Sequence, residues 1–168
     1  GVGAGIYSDH ATLTLTNCTI SHCTVISGSG GGIYNDHATL ALTNCTVDSN
    51  TGGNGGGINN AQGTLTISNG TFSNNAGTNG GGIYNDRGST TLRNCTIFNN
   101  GASNGGGCYN LGGSASLNAS NCTFRNNFVS AVNSSGGGIY NNGLSGTGVV
   151  TVSCTTFSDN QAPSAGHG

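Results

Sequence analysis

The sequence has no lysine, no glutamate, no methionine, no tryptophan and a single proline in 168 residues. With three arginines as its only fixed cations, it lacks the basic footprint of a nucleic-acid binder. Five aspartates and a formal net charge of −2 likewise exclude an acidic, solvating tail. One proline excludes collagen-like and polyproline segments. No apolar run approaches the roughly 20 residues that a membrane-spanning helix needs. Leu, Ile, Val and Phe together number only 31, too few to fill a large globular core, yet the low net charge does not match the signature of a disordered chain. Residue 1 is neither Met nor the start of a signal peptide, which reads as a mature product or a piece of something longer.

What is present is glycine (33 residues) with asparagine, threonine and serine, arranged in a repeat. Segments 3–23, 30–50, 55–75, 80–100, 105–127 and 136–160 are six versions of one unit, typified by GGGIYNDHATLALTNCTVDSN at 30–50. The anchor after the glycines falls at Ile6, Ile33, Ile58, Ile83, Cys108 and Ile139. A period in the twenties means a solenoid. Gly and Asn are poor helix formers, and stretches such as TLTLT (12–16) alternate apolar with polar residues, so the unit is built of strands. Each unit reads as three short strands: GGGIYN, TLTLT or its equivalent, and NCTI or NCTF.

The fold predicted is therefore all-β, a right-handed parallel β-helix of about six coils with three short strands per coil; the hand follows from the preference of parallel crossovers. It forms one domain over 1–168, with coils starting near 3, 30, 55, 80, 105 and 136 and insertions at 128–135 and 161–168. At about 4.8 Å per coil the rod is about 29 Å long. Stacking turns the repeat into ladders. The anchors form one inner row, Leu15, Leu42, Ile67 and Leu92 a second, and Ile20, Val47, Phe72, Ile97, Phe124 and Phe157 a third. Asn17, Asn44, Asn69, Asn94 and Asn121 are expected to form an inward amide ladder at a bend, and Asn50, Asn75, Asn100, Asn127 and Asn160 another at the end of the third strand.

The pairing of GGGI with FxxN, as at 55–58 with FSNN at 72–75 and at 136–139 with FSDN at 157–160, resembles the repeats of polymorphic outer-membrane proteins, autotransported bacterial surface proteins. The resemblance spans all six units and implies a β-helix on a cell surface. It leaves function open, since such coils serve adhesins, filaments, coats and polysaccharide-degrading enzymes. IFNN and VDSN replace the aromatic in two units, and the membrane-anchoring barrel of that group is not in this sequence.

Several residue sets invite a chemical reading. Cys18, Cys45, Cys95 and Cys122 share one inward row, interrupted by Gly70; parallel side chains on adjacent coils do not converge, so these are expected to be reduced, small apolar residues rather than disulfides. Asp9, His10, Asp36 and His37 occupy the same two positions in adjacent coils and are the candidates for a metal or an acid/base pair. The competing reading is a bend in which the aspartate bonds to its own backbone, repeated at Asp86-Arg87. No metal and no cofactor is assigned. The closing GHG at 166–168 is similar to a motif of β-helix pectinases, but the aspartate motifs that accompany it there are missing. Tyr7, Tyr34, Tyr84, Tyr109 and Tyr140 form an outward stripe broken at Asn59, suited to stacking sugar rings or simply to stiffening the coil. Threonine rows (12, 39, 64 and 14, 66, 91) resemble those of ice-binding solenoids, with Ala41, Ser89 and Arg93 as interruptions. Of the glycosylation sequons, Asn133 and then Asn118 are the candidates, because the inward ladder leaves no room for a glycan.

No helix or polar cap is visible at either end, which leaves two explanations: a stretch of a giant tandem-repeat surface protein, or outer coils that pair with a second copy end to end, the partner expected here. The function expected is a non-enzymatic structural protein of the extracellular space or cell surface, a rigid unit of an adhesin, sheath or filament. The alternative is a carbohydrate-binding or carbohydrate-active β-helix acting on surface glycans, with ice binding a distant third. Neither nucleic acid nor a membrane span enters.

Overall fold

Alternating residues with one apolar face become strands here only because each coil lays its strands beside those of the next. The computed structural model describes residues 1–130, 134–143 and 146–163. It is a right-handed parallel β-helix with three six-stranded parallel sheets running along its length. The first sheet stacks Ile6–Asp9, Ile33–Asp36, Ile58–Ala61, Ile83–Asp86, Cys108–Leu111 and Ile139–Asn142. The second stacks Thr12–Thr16, Thr39–Thr43, Thr64–Ser68, Ser89–Arg93, Ser116–Ser120 and Val149–Ser153; the third runs from Thr19–Ser21 to Thr156–Ser158. A short extra pair, Gly101–Ala102 with Phe128–Val129, lies beside the third sheet's exit, so the fifth-coil insertion begins later than 128. Residues 131–133 and 164–168, within the two insertions, lie outside the described residues.

Register is exact, like on like. Ile33 pairs with Ile6 and Ile58, and Ile83 with Ile58 and Cys108. Leu42 lies between Leu15 and Ile67, and Phe72 between Val47 and Ile97. A further inner row is Leu13, Leu40, Leu65, Thr90, Leu117 and Val150. These rows form one continuous core in which Leu40, Ile58, Phe72 and Phe124 are fully buried. Gly70 in the cysteine row makes room for the larger neighbours: a β-carbon there would sit 2.5 Å from Ile67 and 3.2 Å from the Phe72 ring.

Each coil turns its corners at left-handed residues. His10, His37, Gln62 and Arg87 make the first bend, the Asn17 row the second, and His22, Ser49, Asn74, Asn99, Asn126 and Asp159 the third. Asn and Asp tolerate this region best among residues with side chains. After the third bend the chain returns through the glycines. Gly80, at φ +63°, shows why: a β-carbon would lie 2.7 Å from the carbonyl carbon of Ile83 and 2.8 Å from the Tyr84 backbone.

The amide ladders differ from the sequence expectation in one respect. Asn44 donates to Asn17 (3.2 Å), Asn69 to Asn44 (3.0 Å), Asn94 to Asn69 (3.1 Å) and Asn121 to Asn94 (2.8 Å), but all five are exposed rather than inward. The left-handed turn at each one swings its side chain outside the coil. The buried ladders are two. In one, Asn50 donates both its backbone N–H and Nδ2 to Asn75 Oδ1, and Nδ2 also reaches the carbonyl of Ile20 in the coil behind; Asn75, Asn100 and Asn127 repeat this, and Asn160 ends the ladder with its Nδ2 on the Phe124 carbonyl. Cys23 stands in for the first member and donates its backbone N–H to Asn50. The other follows the tyrosine position: Asn35, Asn60, Asn85 and Asn110 each pass Nδ2 to the next Oδ1 at 2.8–2.9 Å, ending at the exposed Asn141.

Two rungs separate these environments. Asn85→Ala removes the acceptor of the Thr90 hydroxyl and one acceptor of the buried Asn60 Nδ2, and leaves the buried Asn110 Oδ1 without its donor, and is expected to cost about 3 kcal/mol. Asn94→Gly loses hydrogen bonds that water replaces and suits φ +53°, and is expected to stay within about 1 kcal/mol of the parent. Urea unfolding of the two variants checks this; equal losses would mean that the ladders are equivalent.

Candidate functional site

The first bend brings together the residues singled out for chemistry. His10 and His37 occupy left-handed positions directly after Asp9 and Asp36, and their rings stack with centroids 5.0 Å apart and planes 2° from parallel. Each Nδ1 faces the carboxylate before it: His37 meets Asp36 Oδ1 at 2.6 Å, and His10 meets Asp9 likewise. Asp36 also accepts from the Tyr7 hydroxyl at 3.2 Å. The fourth coil uses the same geometry without histidine, Arg87 donating Nε and a terminal nitrogen to Asp86 at 2.9 and 3.2 Å. The carboxylate thus pairs with the neighbouring side chain, not with its own backbone as the bend reading supposed.

This arrangement is poorly shaped for a metal. Two nitrogens on one zinc ion lie within about 4.2 Å of each other at 2.0–2.1 Å per bond, whereas parallel rings 5.0 Å apart hold theirs at the ring spacing. Among the described residues, no group of three or more His, Cys, Asp or Glu side chains is placed to hold an ion.

The tyrosines stack as expected from the repeat: Tyr7 on Tyr34 at 5.6 Å, Tyr84 on Tyr109 at 5.2 Å, and Tyr109 edge-on to Tyr140 at 5.0 Å, with Asn59 paired between Tyr34 and Tyr84. They do not form an open stripe. Tyr84 and Tyr109 are buried, leaving Tyr7 as the most open of the five. Burial first, and the nearby Asp86 carboxylate second, push the Tyr84 hydroxyl up to about 12. A ladder of half-buried amides on the glycine-rich return, Asn104 to Asn79 to Asn54, lies alongside, and Asn59 donates to the Asn54 carbonyl.

All seven cysteines are free thiols. Those of the inward row donate to carbonyls two residues back, at 3.3 Å for Cys45 and 3.2 Å for Cys95 and Cys122. The hydrogen bond to Cys122, with burial, pushes the Cys95 thiol far above its ordinary range, and burial does the same to Cys108. The sixth coil departs from the row: Thr155 takes the cysteine place and Cys154 the exposed asparagine place.

Beyond the sequence candidates lies a cluster around Asp48, which accepts from Ser73, from Ser49 at 2.8 Å and from Asn74 at 2.9 Å. The Ser73 hydrogen bond first, aided by those of Ser49 and Asn74, holds its carboxyl below the usual value against a smaller desolvation effect. Further along the same row, two and three coils from Asp48, Arg125 lies over the Phe98 ring at 4.5 Å. The sequon candidate Asn118 is exposed on the outer face of the second sheet, in a row with Thr91 and Thr151. Asn133 and the GHG at 166–168 lie outside the described residues. No helix among the described residues is long and apolar enough to cross a membrane.

A family model described as a right-handed beta helix region matches residues 2–167. No curated protein and no solved structure matches the chain.

Two measurements test this chemistry. Because the folded carboxylate of Asp48 binds its proton less readily than the unfolded one, its contribution to stability is full above about pH 4 and is lost as pH falls through its lowered value. Asp48→Asn is therefore expected to flatten the acid limb of the stability curve; an unchanged limb would remove the role of Asp48. Alkylation of the native protein with iodoacetamide is expected to label Cys154 first and to leave Cys45, Cys95, Cys108 and Cys122 unmodified until the chain unfolds. Mass spectrometry of peptides checks the order.

Proposed function

The chain belongs to the right-handed β-helix family, whose members include enzymes such as pectate lyases as well as non-enzymes, and on that premise we propose that it is a non-enzymatic, rigid building block of an extracellular or cell-surface assembly. The observation that carries this reading is the continuity of the apolar rows from the first coil to the sixth. On the outer edge of the sixth coil Val149, Val152 and Phe157 are 53%, 41% and 47% exposed, although the last two continue the rows of Leu15 and Ile20. A second copy laid head to tail would place Ile6 on Ile139, Tyr7 on Tyr140, Leu15 on Val152 and Ile20 on Phe157, and so extend the rows in register.

Composition supports the setting. Three arginines and no lysine offer a protease such as trypsin few sites, and the similarity of GGGI and FxxN to polymorphic outer-membrane repeats supports an adhesin, sheath or filament of a surface. The aspartate–histidine pairs are accounted for by the bend, since Asp86-Arg87 builds the same corner without histidine.

Electron microscopy of the concentrated protein tests the proposal. Fibres with an axial repeat near six coil spacings, about 29 Å, are expected, and Val152→Asp is expected to abolish them while circular dichroism stays β-type. Isolated rods at every concentration, or turnover of a polysaccharide panel that disappears in Asp36→Asn, would overturn it.

A further inference from the structure

One outward row is broken by a large aromatic side chain. On the face between the third bend and the glycine return, Thr24, Thr51, Ala76, Gly101, Phe128 and Gln161 follow one another in register. Phe128 is the only aromatic residue of that row, and it is 44% exposed. Its ring lies down over the preceding coil, in the place that a side chain at 101 would occupy: a β-carbon on Gly101 would meet ring atoms at 2.5 and 2.8 Å. One ring face is thus seated on backbone and the rest is left to solvent.

On each side of the ring is a depression. The first, about 240 Å³, runs back over Ala76 and Gly77 and is flanked by the side chains of Asn74 and Asn99. The second, about 520 Å³, runs forward past Ser130 to Asn160 and Gln161. From Ala76 to Gln161 the row covers three coil spacings, about 14 Å. None of the residues lining either depression is ionisable. Asn99 makes no side-chain hydrogen bond to another described residue, while Asn74 is anchored to Asp48 and presents its remaining amide positions. Of the charges around the two depressions, Asp48 is engaged by three donors and Arg125 by Phe98, while the exposed Asp159 stands in the bend row beside Asn160, at the far end of the second depression and outside its lining.

A fixed aromatic platform selects a ligand with a flat, weakly polar C–H face. Flanking amides and a hydroxyl ask for a rim of donors and acceptors, and the uncharged lining offers nothing to an anion or a cation. A ligand with both properties, several units long, is an uncharged oligosaccharide. We infer that Phe128, seated on Gly101 and flanked by Asn74, Asn99 and Gln161, is a binding site for a neutral glycan chain lying along the solenoid axis. The site goes beyond the structural role, is separate from the tyrosine row and the aspartate–histidine bends, and involves no bond-breaking step.

The test is titration of the ¹⁵N-labelled 168-residue chain with cellohexaose, maltohexaose, chitohexaose and xylohexaose, and with hexagalacturonate as the anionic comparator, followed by amide shifts. At least one neutral hexasaccharide is expected to move the amides of Ala76, Gly77, Ala102 and Phe128 saturably. Phe128→Leu, which keeps an apolar side chain but no ring, is expected to weaken that binding at least tenfold, and Phe128→Tyr to retain it. Gly101→Ala, at a residue whose φ is not in the left-handed region, lifts the ring off its seat and is expected to weaken binding with little change in melting temperature. The inference is overturned if no neutral hexasaccharide shifts these amides at millimolar concentration, if Phe128→Leu binds as the parent does, or if only hexagalacturonate binds. Failure here would leave the filament proposal intact, since the substituted residues Phe128 and Gly101 lie one and two coils inside the outer edge.

Discussion

Parallel pairing of equivalent strands is the constraint from which the rest of this molecule follows. Each residue has its counterpart one strand spacing above and below, so a residue type persists in a row only if it tolerates itself at about 4.8 Å. Branched aliphatic side chains do, and so do aromatic rings. Asparagine does so best among polar residues, because its amide carries both a donor and an acceptor and can pass a hydrogen bond along the stack. In the Asn50 row every Oδ1 between Asn75 and Asn160 accepts two N–H groups from the coil behind it, which lets a polar residue lie at zero exposure in the core. The same rule explains the poverty of charge. Asp9 and Asp36 are the one stacked pair of carboxylates in the paired strands, and each carries its own partner from the next residue.

Where a row changes type, the neighbours show the cost. Ser8 replaces asparagine at the first rung of the Asn35 row, and both the Ser8 hydroxyl and the Asn35 Oδ1 are buried without a hydrogen-bond partner in the structure. Thr90 replaces leucine in an inner row, and its hydroxyl is satisfied by donating to Asn85 Oδ1 at 3.0 Å and accepting from Asn60 Nδ2 at 3.4 Å. Gly70 replaces cysteine beside the bulky Phe72. Each break is absorbed within one coil on either side, as nearest-neighbour coupling in a solenoid requires.

The repeat made the coils, the strand phases and three aliphatic rows legible, because alternation within a strand maps directly onto inside and outside. It failed at the corners. A residue at φ near +55° reverses the alternation, so Asn17 and its equivalents point out; Asn35 and its equivalents, two residues after the inward anchor, point in by plain alternation. Nor did periodicity reveal that the glycine return and its Asn54 ladder lie beside the tyrosines; that depends on how the segment of greatest length variation folds back. Phe128 was counted with an insertion because it breaks the pattern, and its pairing with Gly101 is a contact between coils that no single unit encodes.

Those breaks bear on where this fold carries specificity. A face whose rows are identical from coil to coil offers a ligand the same surface at every step and therefore no preferred register. Only a residue that differs from its neighbours above and below fixes one position along the axis. On the outward faces that condition is met where a large ring sits against a glycine, since the missing side chain both lowers the surface and holds the ring flat. The core of this protein depends on sameness, and a site for recognition depends on the single exception; both arise from the same stacking of one coil on the next.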